Sequence, residues 1–213
     1  MLTLHAYWRS TTSYRVRAAL ELKGIAYRTR PVDLVAGAQH SPDYLDINPS
    51  AGVPALVLGD GTVLTQSLAI LDWLEETHPA PPLLPENPLM RARVRAAAQV
   101  IALDVHPVNN LRVVSRLRSE HGLDADAALA WMRHWMAEGF RVYDALLPAH
   151  DGAFSFGDAP DLADLCLVAQ LYNAHRWGVD LAAFPRLVRI EAAALRLPAF
   201  EAARPEAQPD AIC

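Results

Sequence analysis

Val53-Pro-Ala-Leu-Val-Leu-Gly-Asp-Gly-Thr-Val-Leu-Thr-Gln-Ser67 is the stretch on which the fold turns. Two short apolar runs, Ala55 to Leu58 and Val63 to Thr65, flank Gly59-Asp60-Gly61, and such glycines supply the positive φ that a tight hairpin requires. Immediately afterwards Leu68, Leu71 and Leu74 recur at helical spacing and predict a helix over Gln66 to Thr77. Working back toward the N-terminus, Leu2 to Tyr7 alternates apolar and polar residues and reads as a strand. Ser13 to Lys23 then sets Val16, Ala19 and Leu20 on one helical face and stops at Gly24. Tyr27 to Val32 follows as a second strand, parallel to the first because a helix intervenes. The order is β-α-β, a connecting segment, then β-β-α.

That order predicts an α/β N-terminal domain of thioredoxin-like plan over residues 1–80. His78 to Pro88 (HPAPPLLPENP) holds five prolines and cannot continue a helix or a ladder, so residues 81–87 read as a linker. From 88 to 213 the pattern is helical and predicts an all-α C-terminal domain. Met90 to Leu117 can form one long helix that Pro107 bends or divides. Asp124 to Leu147 is a second, with Trp131, Trp135 and Val142 assigned to its apolar side. Asp161-Leu-Ala-Asp164 heads the apolar run Leu165 to Tyr172 as a capping box with Asp at its far end. Arg186 to Leu195 and Ala199 to Ala203 are shorter helices, and the Pro- and Ala-rich segment from Arg204 reads as a mobile tail.

Composition narrows the function classes. Of 213 residues, 52% are hydrophobic, which excludes a disordered chain. A net charge of −5 argues against nucleic acid as a partner, because binding phosphates needs a basic surface. No run approaches the roughly 20 apolar residues of a membrane span, and no basic segment followed by an apolar one marks a secretory signal. Cys166 and Cys213 are too few for a disulfide scaffold or a thiolate metal cage, and Asp-Ala-Ile-Cys213 does not form a prenylation box. The chain reads as soluble and cytoplasmic, with no metal site: His106 has no second ligand at metal spacing.

Four motifs can carry chemistry. Trp8-Arg9-Ser10-Thr11-Thr12-Ser13-Tyr14-Arg15-Val16-Arg17 lies where the first strand hands over to the first helix. Its hydroxyls either cap that helix or, with the helix N-terminus, hold an anion such as a thiolate. There is no cysteine at this turn, so a thiol would have to arrive with a ligand. Val53-Pro54 is a candidate cis bond, although trans is the commoner form, and its bend would offer the Val53 N–H and C=O to an extended peptide. Gln66-Ser67 opens a helix, with Ser67 as its N-cap and free N–H groups behind it able to hold a carboxylate; capping without a ligand is the alternative. His106-Pro-Val-Asn-Asn110-Leu-Arg112 sets polar residues in a helical run, His106 and Asn110 sharing a face if the helix continues. Arg176, beside Trp177, can serve as a counter-charge at a helix end.

With these residues in view, the chain resembles the glutathione transferase superfamily and, within it, the zeta class. The class signature Ser-Ser-Cys-x-Trp/His-Arg-Val-Arg is matched by Ser10-Thr11-Thr12-Ser13-Tyr14-Arg15-Val16-Arg17. Gln39, Asn48-Pro49, Val53-Pro-Ala-Leu56, Gln66-Ser67 and Trp73-Leu-Glu75 follow in the family's order. So do His106 to Asn110, Phe156-Gly-Asp158, Leu162-Ala-Asp164 and Val179-Asp-Leu181, and the likeness covers nearly the whole chain. Thr12 stands where the class has cysteine, Tyr14 where it has Trp or His, and Asp161 where Ser or Thr caps the helix.

The resemblance implies a glutathione transferase fold and a glutathione-dependent cis–trans isomerase of a small dicarboxylic acid. Maleylacetoacetate is the first choice of substrate and maleylpyruvate the alternative. A conjugating or dehalogenating transferase and a non-catalytic glutathione-fold protein are the remaining readings. Carried onto this chain, Ser10 and Thr12 hold the thiolate, and Thr11 contacts the peptide. Val53 pairs with the cysteinyl unit, Gln66 and Ser67 hold the γ-glutamyl end, and Gln39 reaches the glycyl end. His106 and Asn110 approach from the helical domain. Arg9, beside the thiol, then Arg176 and Arg112, meet the substrate carboxylates, while Arg15 and Arg17 are structural or solvated. The family also implies a homodimer.

Overall fold

The structure, a computed structural model, describes residues 1–212; Cys213 lies outside them. Its contacts gather the chain into two units, one of residues 1–83 together with the segment from Leu195 onward, the other Leu84–Ala194.

In the first unit, strand β1 (Leu2–Ala6) leads through a turn into helix α1 (Thr11–Leu22), followed by β2 (Tyr27–Pro31), α2 (Pro42–Ile47), β3 (Ala55–Val57), β4 (Val63–Thr65) and α3 (Ser67–Thr77). The sheet order is β2-β1-β3-β4, with β1 and β2 parallel and the other pairs antiparallel. This is the mixed sheet of the thioredoxin plan that the element order predicts. Gly61, at φ +90°, closes the β3–β4 hairpin, and Gly24, at φ +63°, ends α1. Leu4, Val16, Leu20, Leu56, Ile70 and Leu74 are fully buried, each worth about 1.5–3 kcal/mol of transfer free energy. The α2 helix falls in the segment read only as a connection; Ser41 caps it by accepting from Tyr44 N–H, with Pro42 at its first position.

The segment after Leu195 departs from the expected layout in two ways. Helix α9 (Pro198–Ala203) and the residues beyond it belong with the sheet unit, not with the helical one. The stretch from Arg204 is also not a loose tail. Gln208 is buried, and its amide donates to the carbonyls of Ala202 and Arg204, both at 2.9 Å. The reason is Arg17, 0% exposed on α1. Its Nε donates to Ala203 O at 2.9 Å and its Nη2 to Trp8 O at 2.9 Å, tying α9 to the β1–α1 turn. The Lys23 ammonium, paired with Glu75 at 2.9 Å, also donates to the carbonyls of His78 and Pro81 and anchors the proline-rich stretch.

The second unit holds α4 (Pro88–Gln99), α5 (Leu111–His121), α6 (Ala125–Leu146), α7 (Leu162–Trp177) and α8 (Pro185–Ala194). The single long helix from Met90 to Leu117 does not form. α4 runs into a π turn over Val100–Val105, a 3₁₀ turn follows at Pro107–Asn109, and Asn110 is extended and caps α5 anew. On α6 the buried face is Ala128, Met132, Met136, Gly139, Phe140 and Tyr143. Trp131, Trp135 and Val142 lie off it, since the flexible Met side chains and a bare Gly139 are what let the π turn close in. A Cβ on Gly139 would overlap Val105 Cγ2. The capping box on α7 forms as read, with Asp161 accepting from Ala163 and Asp164 N–H, and Asp164 accepting from Asp161 N–H. Among the described residues no helix is long and apolar enough to cross a membrane.

Candidate active site

The β1–α1 turn is built from four residues. Ser10 N–H donates to Tyr7 O at 3.0 Å, closing Tyr7-Trp8-Arg9-Ser10 as a β-turn, and Ser10 then caps α1 by accepting from Ser13 N–H at 3.2 Å. The Ser10 and Thr12 hydroxyls lie 2.8 Å apart, and Thr12 donates to Val53 O at 2.8 Å. A hydroxyl has one proton to give. With the Thr12 proton on Val53 O, the bond between the two hydroxyls must be donated by Ser10. Ser10 is therefore the group that can swing its proton from Thr12 to an incoming anion, whereas Thr12 holds the Val53 loop in place. Ser10 and Thr12 are half-exposed; Thr11 is 3% exposed and belongs to the packing beneath the turn. Arg15 and Arg17 are both buried on α1, so neither arginine is solvated.

Val53 is only half as open as its bend suggests. The Val53–Pro54 bond is cis, and the carbonyl already accepts from Thr12. Its N–H has no acceptor among the described residues and stays available for a peptide strand. Ser67 is not the cap of α3. The cap is Gln66, at φ +66° and ψ +114°, with no side-chain bond to the helix, and Ser67 is the first helical residue and buried. A non-glycine residue in that region stores strain, and here it presents the N-terminus of α3 without an internal cap. Gln39 lies in a 3₁₀ turn (Ala38–His40), half-buried, with Oε1 withdrawn from water and unpartnered. Arg9 is half-buried, its guanidinium 4.8 Å above the Trp8 ring.

In the helical unit, Asn110 Oδ1 accepts from Arg112 N–H at 3.1 Å, so its amide nitrogen faces His106 Nε2 at 3.3 Å as a donor. His106 Nε2 thereby carries a lone pair. The two residues meet although the helix between them is broken. Arg112 is exposed and lines an open groove of about 390 Å³ along α5 with Val113, Arg116, Leu117 and His121; Arg176 is not among its walls. Arg176 is exposed in the last turn of α7, its guanidinium 4.3 Å over the Trp177 ring. Arg133 of α6 donates to Trp177 O at 2.6 Å, and a Cβ on Gly178 would meet its Nη2 at 2.7 Å. Burial raises the carboxyls of Asp161 and Asp164, and the charge of Asp164 adds to the effect on Asp161. Arg133 and Asp210, whose carboxylate accepts from Trp8 N–H at 3.0 Å, carry no signal in the sequence, whereas Arg17, expected to be structural or solvated, is structural; each acts on a distant carbonyl or N–H, for which no local pattern exists.

A thioredoxin-type sheet whose first helix opens on hydroxyls, followed in one chain by a helical unit, is the layout of the glutathione transferases. Residues 9–77 match the family model described as glutathione S-transferase, N-terminal domain. The chain is 49% identical over 205 residues to maleylacetoacetate isomerase of Rhizobium meliloti, with 95% of each chain covered. Among solved structures it is similar to holo maleylpyruvate isomerase, described as a bacterial zeta-class glutathione S-transferase, at TM-score 0.95 and 43% identity over 99% of this chain and 100% of that one. The maleylacetoacetate isomerase of Methylobacterium extorquens, solved with bound malonate and glutathione, matches at TM-score 0.95 and 46% identity with the same coverage. The chain belongs to the zeta class of the glutathione transferases.

Proposed function

We propose that this protein is a glutathione-dependent cis–trans isomerase that converts maleylacetoacetate to fumarylacetoacetate. The observation that carries the reading is the Ser10–Thr12–Val53 relay at the N-terminus of α1, a thiolate site with no protein thiol in it. The residues fit glutathione: an open N–H on Val53, an uncapped α3 behind Gln66, and an orphaned amide oxygen on Gln39. When bound, glutathione supplies a thiolate that adds reversibly to the cis double bond and lets it rotate. Ser10 turns its proton from Thr12 toward the sulfur, and the N-terminus of α1 adds its dipole. Val53 N–H pairs with the cysteinyl carbonyl, the free N–H groups at Gln66 and Ser67 take the γ-glutamyl carboxylate, and Gln39 meets the glycyl end. His106 and Asn110 contribute from the helical side.

Arg9 and Arg176, each with its guanidinium over the neighbouring tryptophan ring, are the groups to meet the two carboxylates of the substrate. Arg112, on its open groove, contributes least. The reading favours a homodimer, to be checked by light scattering at micromolar concentration, where a monomer would exclude it. A cytoplasmic location suits a reaction that depends on reduced glutathione.

The test is the ultraviolet progress curve of maleylacetoacetate with and without glutathione, coupled to fumarylacetoacetate hydrolase. Strictly glutathione-dependent turnover is expected. Folded, glutathione-binding protein without turnover would instead favour maleylpyruvate, the substrate named for one of the similar structures. Arg9→Ala and Arg176→Ala should each lower kcat/KM by about 10- to 100-fold, the worth of one charge-assisted contact, with glutathione affinity unchanged.

A further inference from the structure

We propose that Asp210 is a positioning residue that clamps the Tyr7–Ser10 turn from the far end of the chain. In a β-turn the hydrogen bond from the fourth residue to the first leaves the groups of the second residue unused. Here that residue is Trp8, and both of its groups are taken. Its N–H donates to Asp210 Oδ2 at 3.0 Å, and its carbonyl accepts from Arg17 Nη2 at 2.9 Å. The peptide planes on both sides of Trp8 are thus held between a carboxylate and a guanidinium, which sets the direction in which the chain leaves toward Arg9 and Ser10. The indole is 7% exposed and carries the Arg9 guanidinium on its face.

Asp210 is itself presented by a built element. Ala211 N–H donates to Gln208 O at 3.0 Å, closing a second turn with Asp210 as its third residue. Gln208 fixes that turn to the end of α9, and α9 is fastened by Phe200, 1% exposed, and by the Arg17 bond to Ala203 O. Arg17 therefore serves both sides of the clasp, holding the Trp8 carbonyl and the helix from which Asp210 is hung. A carboxylate accepting a backbone N–H forms a charge-assisted bond, stronger than a neutral acceptor would give.

The inference rests on the reading of Ser10 and Arg9 as the thiol and carboxylate groups, and the experiment separates the two. Amide exchange at Trp8 is measured in the free protein, and kcat/KM and the thiol pKa of bound glutathione in the loaded one, for Asp210→Ala, Asp210→Asn and Ser10→Ala. Asp210→Ala should abolish protection at Trp8, raise the thiol pKa and lower kcat/KM about tenfold, the scale of one such bond. Asp210→Asn keeps an acceptor and should restore protection and most of the activity. Unchanged protection and kcat/KM in Asp210→Ala would overturn the proposal, as would Asp210→Asn behaving like Asp210→Ala. If Ser10→Ala keeps full activity, the thiol reading fails while the exchange result at Trp8 still decides the clamp. Should Asp210→Ala not fold, Pro209→Gly leaves the carboxylate but loosens its turn; linked partial losses of protection and kcat/KM support the clamp, and loss of neither overturns it.

Discussion

The candidate thiol groups of the sheet unit and the candidate arginines of the helical unit are held by different means. In the sheet unit, Ser10 and Thr12 are set by a β-turn, a capped helix, a hydroxyl relay that ends on Val53 O and a buried Arg17 bonded to backbone carbonyls. On the helical side, the candidate groups are long side chains at helix ends, Arg176 resting on Trp177 and Arg112 in the open. The difference follows from the physics of each task. A hydroxyl that stabilises a thiolate has to be aimed at the sulfur before the thiolate forms, so its donor is built into a fixed turn. A guanidinium meeting a carboxylate acts over a longer range and can be carried on a flexible stem.

The comparison can be broken most sharply at Ser10. Ser10→Ala removes the hydroxyl of the Ser10–Thr12 pair whose proton can turn, and turnover should fall about 100-fold, as when one oxyanion donor is lost. The thiol pKa in the glutathione complex should rise in parallel. Equal loss from Thr12→Val, with Ser10→Ala mild, would reverse the roles assigned to the two hydroxyls.

A smaller effect tests how the helical unit holds its π turn. Gly139→Ala drives a methyl group into Val105 and should cost about 1–3 kcal/mol in urea unfolding. Val105→Ala in the same chain should recover much of that loss, whereas simple additivity would show that the two residues do not press on each other.

The smallest effect is electrostatic. Asp161 and Asp164 have folded pKa values raised by burial, so the folded chain holds their protons more tightly than the unfolded chain. Their contribution is most favourable below the ordinary value of 3.8 and declines as pH rises through the raised values. Asp161→Asn keeps an acceptor for the N–H groups of Ala163 and Asp164 and removes one titration. Its stability should fall less steeply with pH above that point, by at most about 1.4 kcal/mol per pH unit. Parallel slopes would count against the shift.

Local patterns were enough to read β1, α1, the Gly59-Asp60-Gly61 hairpin, the proline-rich break and the Asp161 box, because each is specified by residues within one turn or strand of one another. Ser10, Thr12 and Val53 stand out locally only as a helix cap and a bend, and their roles toward a thiol and a peptide come from the family resemblance. The errors have a common cause in tertiary context. Trp131 and Trp135 look like core residues by type, yet the close approach of Val105 to Gly139 selects the methionine face of α6. Gln66 takes a positive φ for which glutamine carries no signal, and so displaces Ser67 from the cap. Arg17 and Asp210 act across most of the chain length, and the proline content around Asp210 disguised an ordered turn as a loose end.

The tie between Arg17, Ala203 and Asp210 also bears on biosynthesis. Leu84–Ala194 is one continuous stretch, so its contacts are all in hand before the ribosome reaches α9. The sheet unit is different: its first residues wait through the synthesis of that whole stretch for the partners of Arg17 and Trp8 to emerge. The β1–α1 turn is therefore joined by bonds that span almost the whole chain, and its last partners are made only after α9 and the Asp210 turn have been synthesised.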